Sequence, residues 1–181
     1  SYYQMSATMD DTVGKIGFRN VYQFEPTIMG SQILERGLVY GLANDGEQDT
    51  GITADDVWVG NPSEYVASFE ATAAGKIDYQ MGESKTADYY AMTMMNDSTV
   101  SAKAYNARYI VRAFAKTSGG GYVYSKPYSY KYFDVADHLY QNNLFSNELT
   151  HNSIYDDVLH KIDSSYQPVD YYWGNMVVRP E

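Results

Sequence analysis

The sequence contains no cysteine, so disulfides, thiolate metal sites and cysteine nucleophiles are excluded. It is also poor in cations: 13 Lys and Arg stand against 23 Asp and Glu, which gives a net charge of −10. Because no cationic cluster is available to contact phosphates, nucleic acid and anionic membranes are poor partners. No apolar run approaches the roughly 20 residues that span a bilayer, so we expect no membrane insertion.

Sequence motifs of catalysis are lacking as well. The chain has no nucleophile elbow, no phosphate-binding loop and no zinc-protease motif. The three histidines, His138, His151 and His160, are too far apart in sequence to share one helical turn as metal ligands. Many carboxylates are present, but no pair is singled out as a glycosidase pair. We therefore expect a protein that is not an enzyme, with a glycoside hydrolase fragment as the weakest alternative.

Tyrosine, by contrast, is abundant, with 20 residues in a chain of 181. A dense tyrosine segment follows the turn Gly119-Gly120-Gly121. Side chains at every second position of a strand share one face, so this segment predicts a single strand with its rings on one side. The rings are those of Tyr122, Tyr124, Tyr128, Tyr130 and Tyr132. They are either half-buried partners of neighbouring strands or a binding platform.

Alternating apolar positions predict several further strands, and turn signals recur every 10 to 15 residues or so. Strands are expected near 16–24, 35–43, 57–59, 88–95 and 107–116, and a hairpin is expected with strands at 65–72 and 76–81 around a turn at 73–75. Gly37 and Gly41 in the second strand indicate bulges or close backbone approach. Residues 1–14 have no clear pattern. The predicted fold is mainly β, an antiparallel β-sandwich of the immunoglobulin or fibronectin III type.

The pattern changes to helical spacing after the tyrosine segment. Asp134 is a plausible N-cap for one short helix, and a second helix is expected from near Asn152 to Ile162. We thus expect a β-sandwich over 1–133, a helical appendage over 134–163, and an aromatic tail over 164–181 that packs on the same domain.

The candidate binding residues combine rings with hydrogen-bonding groups. Sugar C–H faces stack on aromatic rings, and a phenol hydroxyl or a guanidinium can hydrogen-bond sugar hydroxyls. The predicted ligand-binding residues are Tyr122, Tyr124, Tyr128, Tyr130, Trp58 and Arg112. Two alternatives stay open, since Trp58 can instead fill the core and Arg112 can pair with a nearby acid.

An acidic loop after residue 44 has the oxygen-ligand spacing of an EF-hand calcium loop, although the expected glycine is displaced and no flanking helices are predicted. The candidate calcium ligands are Asp45, Glu47, Asp49 and Asp56. The alternative is a solvated acidic loop without metal. Calcium is the one cofactor to consider.

Two short patterns resemble known modules. The segment Tyr105 to Ala113, followed by a glycine turn and Tyr122-Val-Tyr-Ser125, resembles the last hairpin of fibronectin type III-like modules. Together with Gly17-Phe18-Arg19 and Val39-Tyr40-Gly41, it is similar to β-sandwich modules in surface proteins of anaerobic Gram-positive gut bacteria. The resemblance covers about residues 15–133 and implies extracellular attachment rather than catalysis.

Composition and resemblance together predict a secreted or cell-surface module that is monomeric and binds polysaccharide at a bacterial surface. The main alternative is a structural or protein-interaction module, an adhesin or spacer domain within a larger surface protein. The exposure of the tyrosine rings distinguishes the two, because solvent-facing rings favour sugar and covered rings favour a protein partner.

Overall fold

A computed structural model describes residues 3–10, 15–23, 27–28, 30–70, 73–81, 83–97, 102–142, 152, 154–169, 171–173 and 176–178. Side-chain environments are described for residues 28, 30–70, 103–142, 152 and 154–169.

The described chain is dominated by β-strands, and every pairing between them is antiparallel. In chain order the strands are Tyr3–Asp10 (β1), Lys15–Gln23 (β2), Thr27–Ile28 (β3), Ser31–Asn44 (β4), Val66–Glu70 (β5), Ala73–Met81 (β6), Glu83–Asp97 (β7), Arg108–Thr117 (β8), Tyr122–Tyr124 (β9), Tyr128–Lys131 (β10), Tyr171–Trp173 (β11) and Met176–Val178 (β12). The prediction of a mainly β, antiparallel protein is confirmed.

These strands form three sheets. One has the order β1-β2-β7-β6, and β11 pairs with β12 as a small hairpin. The largest sheet has β8 and β4 at its centre, with β9 and β10 both paired to the outer edge of β8. β3 and β5 pair with the other edge of β4. The tyrosine segment is therefore an edge of this sheet.

The two faces of β8 differ in what covers them. Ile110 and Phe114 lie on one side, which we call the loop face because the segment from Ile52 to Val66 packs there. Ile110, Phe114, Val39 and Val57 are buried together in this core. Val111, Ala113 and Ala115 project from the opposite face and are also buried.

The glycines of β4 allow the loop to lie close to the sheet. A Cβ atom on Gly41 would lie 2.9 Å from Cγ2 of Ile52 and 3.0 Å from Cγ2 of Val57. One on Gly37 would lie 1.9 Å from the carbonyl oxygen of Phe69. Close backbone approach, expected for these two residues, is what the structure shows.

Short helices build a second core. They are Ala102–Asn106 (α1), Tyr132–Gln141 (α2), a π-helical turn at Tyr155–Leu159 and a final turn at His160–Ile162 (α3). Side chains from all but the last of these, together with Ile154, are buried in one cluster: Tyr105, Tyr132, Ala136, Tyr140, Ile154, Tyr155, Val158 and Leu159. In the part of the chain that is described, no helix has both the length and the apolar character to cross a membrane.

The start of the C-terminal tail packs on these helices. The backbone N–H of Val169 donates to the hydroxyl of Tyr140, with a distance of 3.0 Å. The hydroxyl of Tyr166 donates to the carboxylate of Asp137 and accepts from the amide of Gln141 at 2.8 Å. These contacts join the tail to α2.

Several local predictions are wrong. β5 pairs with β4 and β6 pairs with β7, so the hairpin expected around residues 73–75 does not form. Residues 57–59 follow a 3₁₀ turn at Ala54–Asp56 and form no strand. The N-terminal segment, which lacked a clear pattern, contains β1. α2 begins at Tyr132, with Lys131 rather than Asp134 at the N-cap, because the strand leads directly into the helix.

Candidate functional site

The tyrosine segment pairs with β8 in two different registers. Tyr124 lies opposite Phe114, whereas Tyr128 lies opposite Val111. The two tyrosines are four positions apart (128 − 124) but their partners are only three apart (114 − 111), so the edge strand carries one extra residue. This is a β-bulge, and a shift of one residue turns the following side chains to the other face of the sheet.

Ser125 and Pro127 make the bulge. The backbone N–H of Ser125 donates to the carbonyl of Ala113 at 2.9 Å, as in a normal ladder. The reciprocal hydrogen bond of this pair is irregular. The N–H of Ala113 donates to the side-chain Oγ of Ser125 at 2.9 Å, instead of to the Ser125 carbonyl. The carbonyl of Ser125 is thereby left to accept from Nε of Arg112 at 3.3 Å. Pro127 has no N–H to offer, which suits an irregular position on an edge.

The expected single face of five rings is therefore wrong. Tyr122 and Tyr124 lie on the loop face, since their partners on β8 are Lys116 and Phe114. The remaining three rings lie elsewhere: Tyr128 and Tyr130 lie on the opposite face, and Tyr132 is the first residue of α2.

The rings of Tyr122 and Tyr124 are neighbours on the loop face, with centroids 6.3 Å apart and 29° between their planes. Each has a cation nearby. Nζ of Lys116 lies 5.9 Å from the centroid of Tyr122, and Cζ of Arg112 lies 5.4 Å from that of Tyr124. Tyr122 is 37% exposed, and its inner edge meets the buried ring of Phe114.

Trp58 reaches the same side of the sheet through the turn that follows the 3₁₀ helix. The N–H of Val59 donates to the hydroxyl of Tyr124 at 3.0 Å, which fixes this turn beside that ring. Val57 and Val59 pack into the core on either side, so the indole points outward and is 42% exposed. We call Tyr122, Tyr124 and Trp58 the aromatic strip.

Arg112 is held beside this strip without an acid. Its Nε donates to the carbonyl of Ser125, and its guanidinium lies against Tyr124. Within the described residues, no carboxylate lies at ion-pair distance from Arg112. Its neighbour on the same face, Arg108, does have such a partner, since it lies 3.7 Å from Asp134.

Tyr128 and Tyr130 have a different environment. Tyr130 is only 4% exposed and stacks on Tyr109, with centroids 5.8 Å apart. Burial raises the pKa of Tyr109 from 10.0 to about 12, and the nearby Tyr40 adds to this rise. Burial likewise raises the pKa of Tyr132, which contacts Tyr109 edge-on. Tyr128 is 37% exposed, like Tyr122, but on the face away from the aromatic strip.

The acidic loop is a compact turn with local partners. Asp45 accepts from the N–H groups of Glu47 and Gln48, and these bonds, aided by Lys103, lower its pKa. Nζ of Lys103 lies 3.1 Å from Glu47 and 3.6 Å from Asp45.

The other two candidate calcium ligands have separate roles. Asp49 accepts from the amide of Asn44 at 3.1 Å, and Asp56 accepts from the N–H of Thr53 at 2.8 Å. Among the residues with described side chains, no three acidic or histidine groups converge as a metal site. Calcium binding stays a prediction.

The structure thus brings together four of the six predicted ligand-binding residues, Tyr122, Tyr124, Trp58 and Arg112. It separates Tyr128 and Tyr130 from them. The residues that sequence reasoning missed are Ser125, whose side chain makes the bulge, and Lys116, which lies over Tyr122. Pro127 in the middle of the run was the available signal, since proline in a strand favours a bulge or an edge.

No protein-family model, no curated protein sequence and no solved structure matches this chain.

Proposed function

We propose that this protein is a non-catalytic extracellular module that binds polysaccharide at a bacterial surface through the aromatic strip. The observation that supports this most is the grouping of Tyr122, Tyr124 and Trp58 on one side of the sheet, with two of the three rings well exposed. The module acts as a monomer, and the strip is its binding site.

Sugar recognition suits this grouping for physical reasons. The apolar faces of a pyranose stack on aromatic rings, while hydroxyl and guanidinium groups beside the rings supply directional hydrogen bonds. The strip is also held firmly in place, because its tyrosines lie on a paired strand and the turn carrying Trp58 is bonded to Tyr124. A preorganised site loses less entropy when a ligand binds.

The fold is compatible with a β-sandwich of the fibronectin III type, which is part of the proposal. The two larger sheets are antiparallel, and β4 of one contacts β7 of the other. Val111, Ala113 and Ala115 are buried on the face of β8 away from the loop, as expected for a face turned towards a second layer.

The test is affinity electrophoresis and isothermal titration against a panel of glucans, xylans, mannans and polygalacturonate. Tyr122→Ala and Trp58→Ala are each expected to weaken binding about tenfold. Tyr128→Ala is the matched control, since Tyr128 has the same 37% exposure but lies on the opposite face. Equal losses from Tyr122→Ala and Tyr128→Ala, or no retention by any glycan, contradict the proposal.

A structural or protein-interaction module, an adhesin or spacer, is the second candidate. Its support is apolar exposure away from the aromatic strip: Phe69 is 45% exposed on β5, where it stacks on Tyr40, and Leu34 is 58% exposed on β4. This candidate predicts that Phe69→Ala lowers adhesion of cells displaying the module while Tyr122→Ala does not. The reverse pattern contradicts it.

A further inference from the structure

We propose that the aromatic strip selects acidic polysaccharides, and that Arg112 recognises the carboxylate of a uronic acid residue stacked on an exposed ring of the strip. This inference rests on the proposed function and names its ligand class. It depends on three observations: how Arg112 is fixed, what it lacks, and where it lies relative to the rings.

Arg112 is fixed at one end and open at the other. Its Nε is bonded to the carbonyl of Ser125, and Cζ lies 5.4 Å from the ring centroid of Tyr124. In the described part of the structure, the two terminal nitrogens have no hydrogen-bond acceptor. A guanidinium held in this way presents a planar pair of donors, which matches the two oxygens of a carboxylate.

The cation also lacks a local acid, although the chain has a large excess of acids. Three other cations in the described region do have carboxylate partners: Lys103 with Asp45 and Glu47, Arg108 with Asp134, and Lys116 with Glu35. Arg112 differs from these three, and it is the cation that lies over the ring of Tyr124. A carboxylate on the ligand would supply the missing partner.

The position of Arg112 matches the shape of a uronic acid. The carboxylate of such a sugar is attached to the pyranose ring, so a sugar stacked on an exposed ring of the strip has its acid close to the edge of that ring. Arg112 lies over the ring of Tyr124, and the exposed ring of Tyr122 is the next along the strand. The net charge of −10 does not prevent this contact, because at 0.1 M salt charges more than about 10 Å away are largely screened.

The bulge explains why Arg112 is available for this contact. Because Ser125 uses its side chain to accept from Ala113, its carbonyl is free to accept from Arg112. The same irregularity that separates the tyrosines therefore orients the guanidinium.

The test compares polygalacturonate with its fully methyl-esterified form, using isothermal titration at low and high sodium chloride. We expect the wild-type protein to bind the free acid at least about tenfold more tightly, and this preference to fall with salt. Arg112→Gln should lose the preference while still binding a neutral glucan or the ester. Arg112→Lys should lose most of it, because a lysine keeps the charge but not the planar pair of donors.

Arg108→Gln is the matched control, since it removes the same charge from the same strand face at a residue already paired with Asp134. It should leave the preference unchanged. Urea unfolding of each variant shows whether the fold is retained. Equal affinity of the wild-type protein for acid and ester, or an equal loss of preference in Arg108→Gln, overturns the inference but leaves the proposed function standing. Failure to bind any polysaccharide overturns both.

Discussion

Tyr122 with Tyr124 and Tyr128 with Tyr130 are two Tyr-x-Tyr pairs on one edge of one sheet, yet their environments are opposite. The first pair lies on the loop face beside Lys116 and Arg112. The second lies on the other face, where Tyr130 is buried against Tyr109. The three residues between the pairs contain the bulge that separates them. Identical residue types thus have different roles because of a local change of register.

The comparison shows that strand periodicity holds only while the ladder is regular. One extra residue is enough to exchange the faces of everything that follows. In this protein the exchange places one pair of rings on the candidate binding surface and the other on the opposite face, where Tyr130 is buried and Tyr128 is exposed.

The most direct test of this comparison is to delete Lys126. Tyr122 and Tyr130 are then seven positions apart, as are their partners Lys116 and Tyr109, so a regular ladder keeps both rings on their present faces. What changes is the bonding of Ser125, whose carbonyl accepts from Ala113 in a regular ladder instead of from Arg112. We expect both ring environments to persist and the free energy of unfolding to fall by less than about 2 kcal/mol. Urea denaturation followed by near-UV circular dichroism measures this.

Lys126→Ala is the control, because it keeps the chain length and removes only an exposed side chain. It should change stability by less than about 0.5 kcal/mol. A deletion variant that loses about 4 kcal/mol or more, or whose near-UV spectrum is lost, would contradict this account of the register.

Replacing a tyrosine by alanine should lower the free energy of unfolding by different amounts in the two pairs. Tyr130→Ala removes a buried ring stacked on Tyr109, and we expect a loss of about 3 kcal/mol. Tyr122→Ala removes a ring that is 37% exposed, and its cost should be about 1 kcal/mol. Urea titrations of both variants test the difference. Similar losses would mean that the two faces are equally buried.

Ser125 provides a smaller test of the bulge itself. Ser125→Ala leaves the buried N–H of Ala113 without its acceptor, and we expect a loss of about 2 kcal/mol. Ser129→Ala, an exposed serine on the neighbouring strand, should cost less than about 0.5 kcal/mol. Faster amide hydrogen exchange at Ala113 in Ser125→Ala would locate the effect. Unchanged exchange there would contradict the role given to the hydroxyl.

Alkaline pH should lower the stability of the fold through Tyr109, on which Tyr130 of the second pair stacks. Because its pKa is raised from 10.0 to about 12 in the fold, the folded state keeps a proton that the unfolded chain has lost in this range. The stabilisation is complete below pH 10 and declines as pH rises towards 12. In Tyr109→Phe the decline should be shallower by about 1 kcal/mol per pH unit. Denaturant midpoints at these pH values measure the slopes, and equal slopes contradict the assignment.

Most of the central strands could be predicted from the local sequence pattern, but the pairings between strands could not. The strands β4 and β8 were predictable from their apolar positions, and so was the close approach at Gly37 and Gly41. The partner of β5 was not, because a neighbouring turn signal at 73–75 suggested a hairpin that the structure replaces with distant pairing to β4.

For the candidate site, too, the sequence predicted the residue types but not how they come together. Trp58 and Arg112 were identifiable as residue types suited to sugar binding. Their proximity was not, since it depends on the bond from Val59 to Tyr124 and on the carbonyl that Ser125 leaves free. Both contacts join residues whose positions in the chain give no indication that they meet.

The sequence by itself determined a cysteine-free, acidic, mainly β protein with a dense tyrosine segment after Gly119-Gly120-Gly121, because composition and periodicity are properties of the chain alone. Only the tertiary structure decided which of those tyrosines face solvent. Burial depends on register, and register here shifts by one residue at a bulge in which a serine hydroxyl replaces a carbonyl in the ladder with β8.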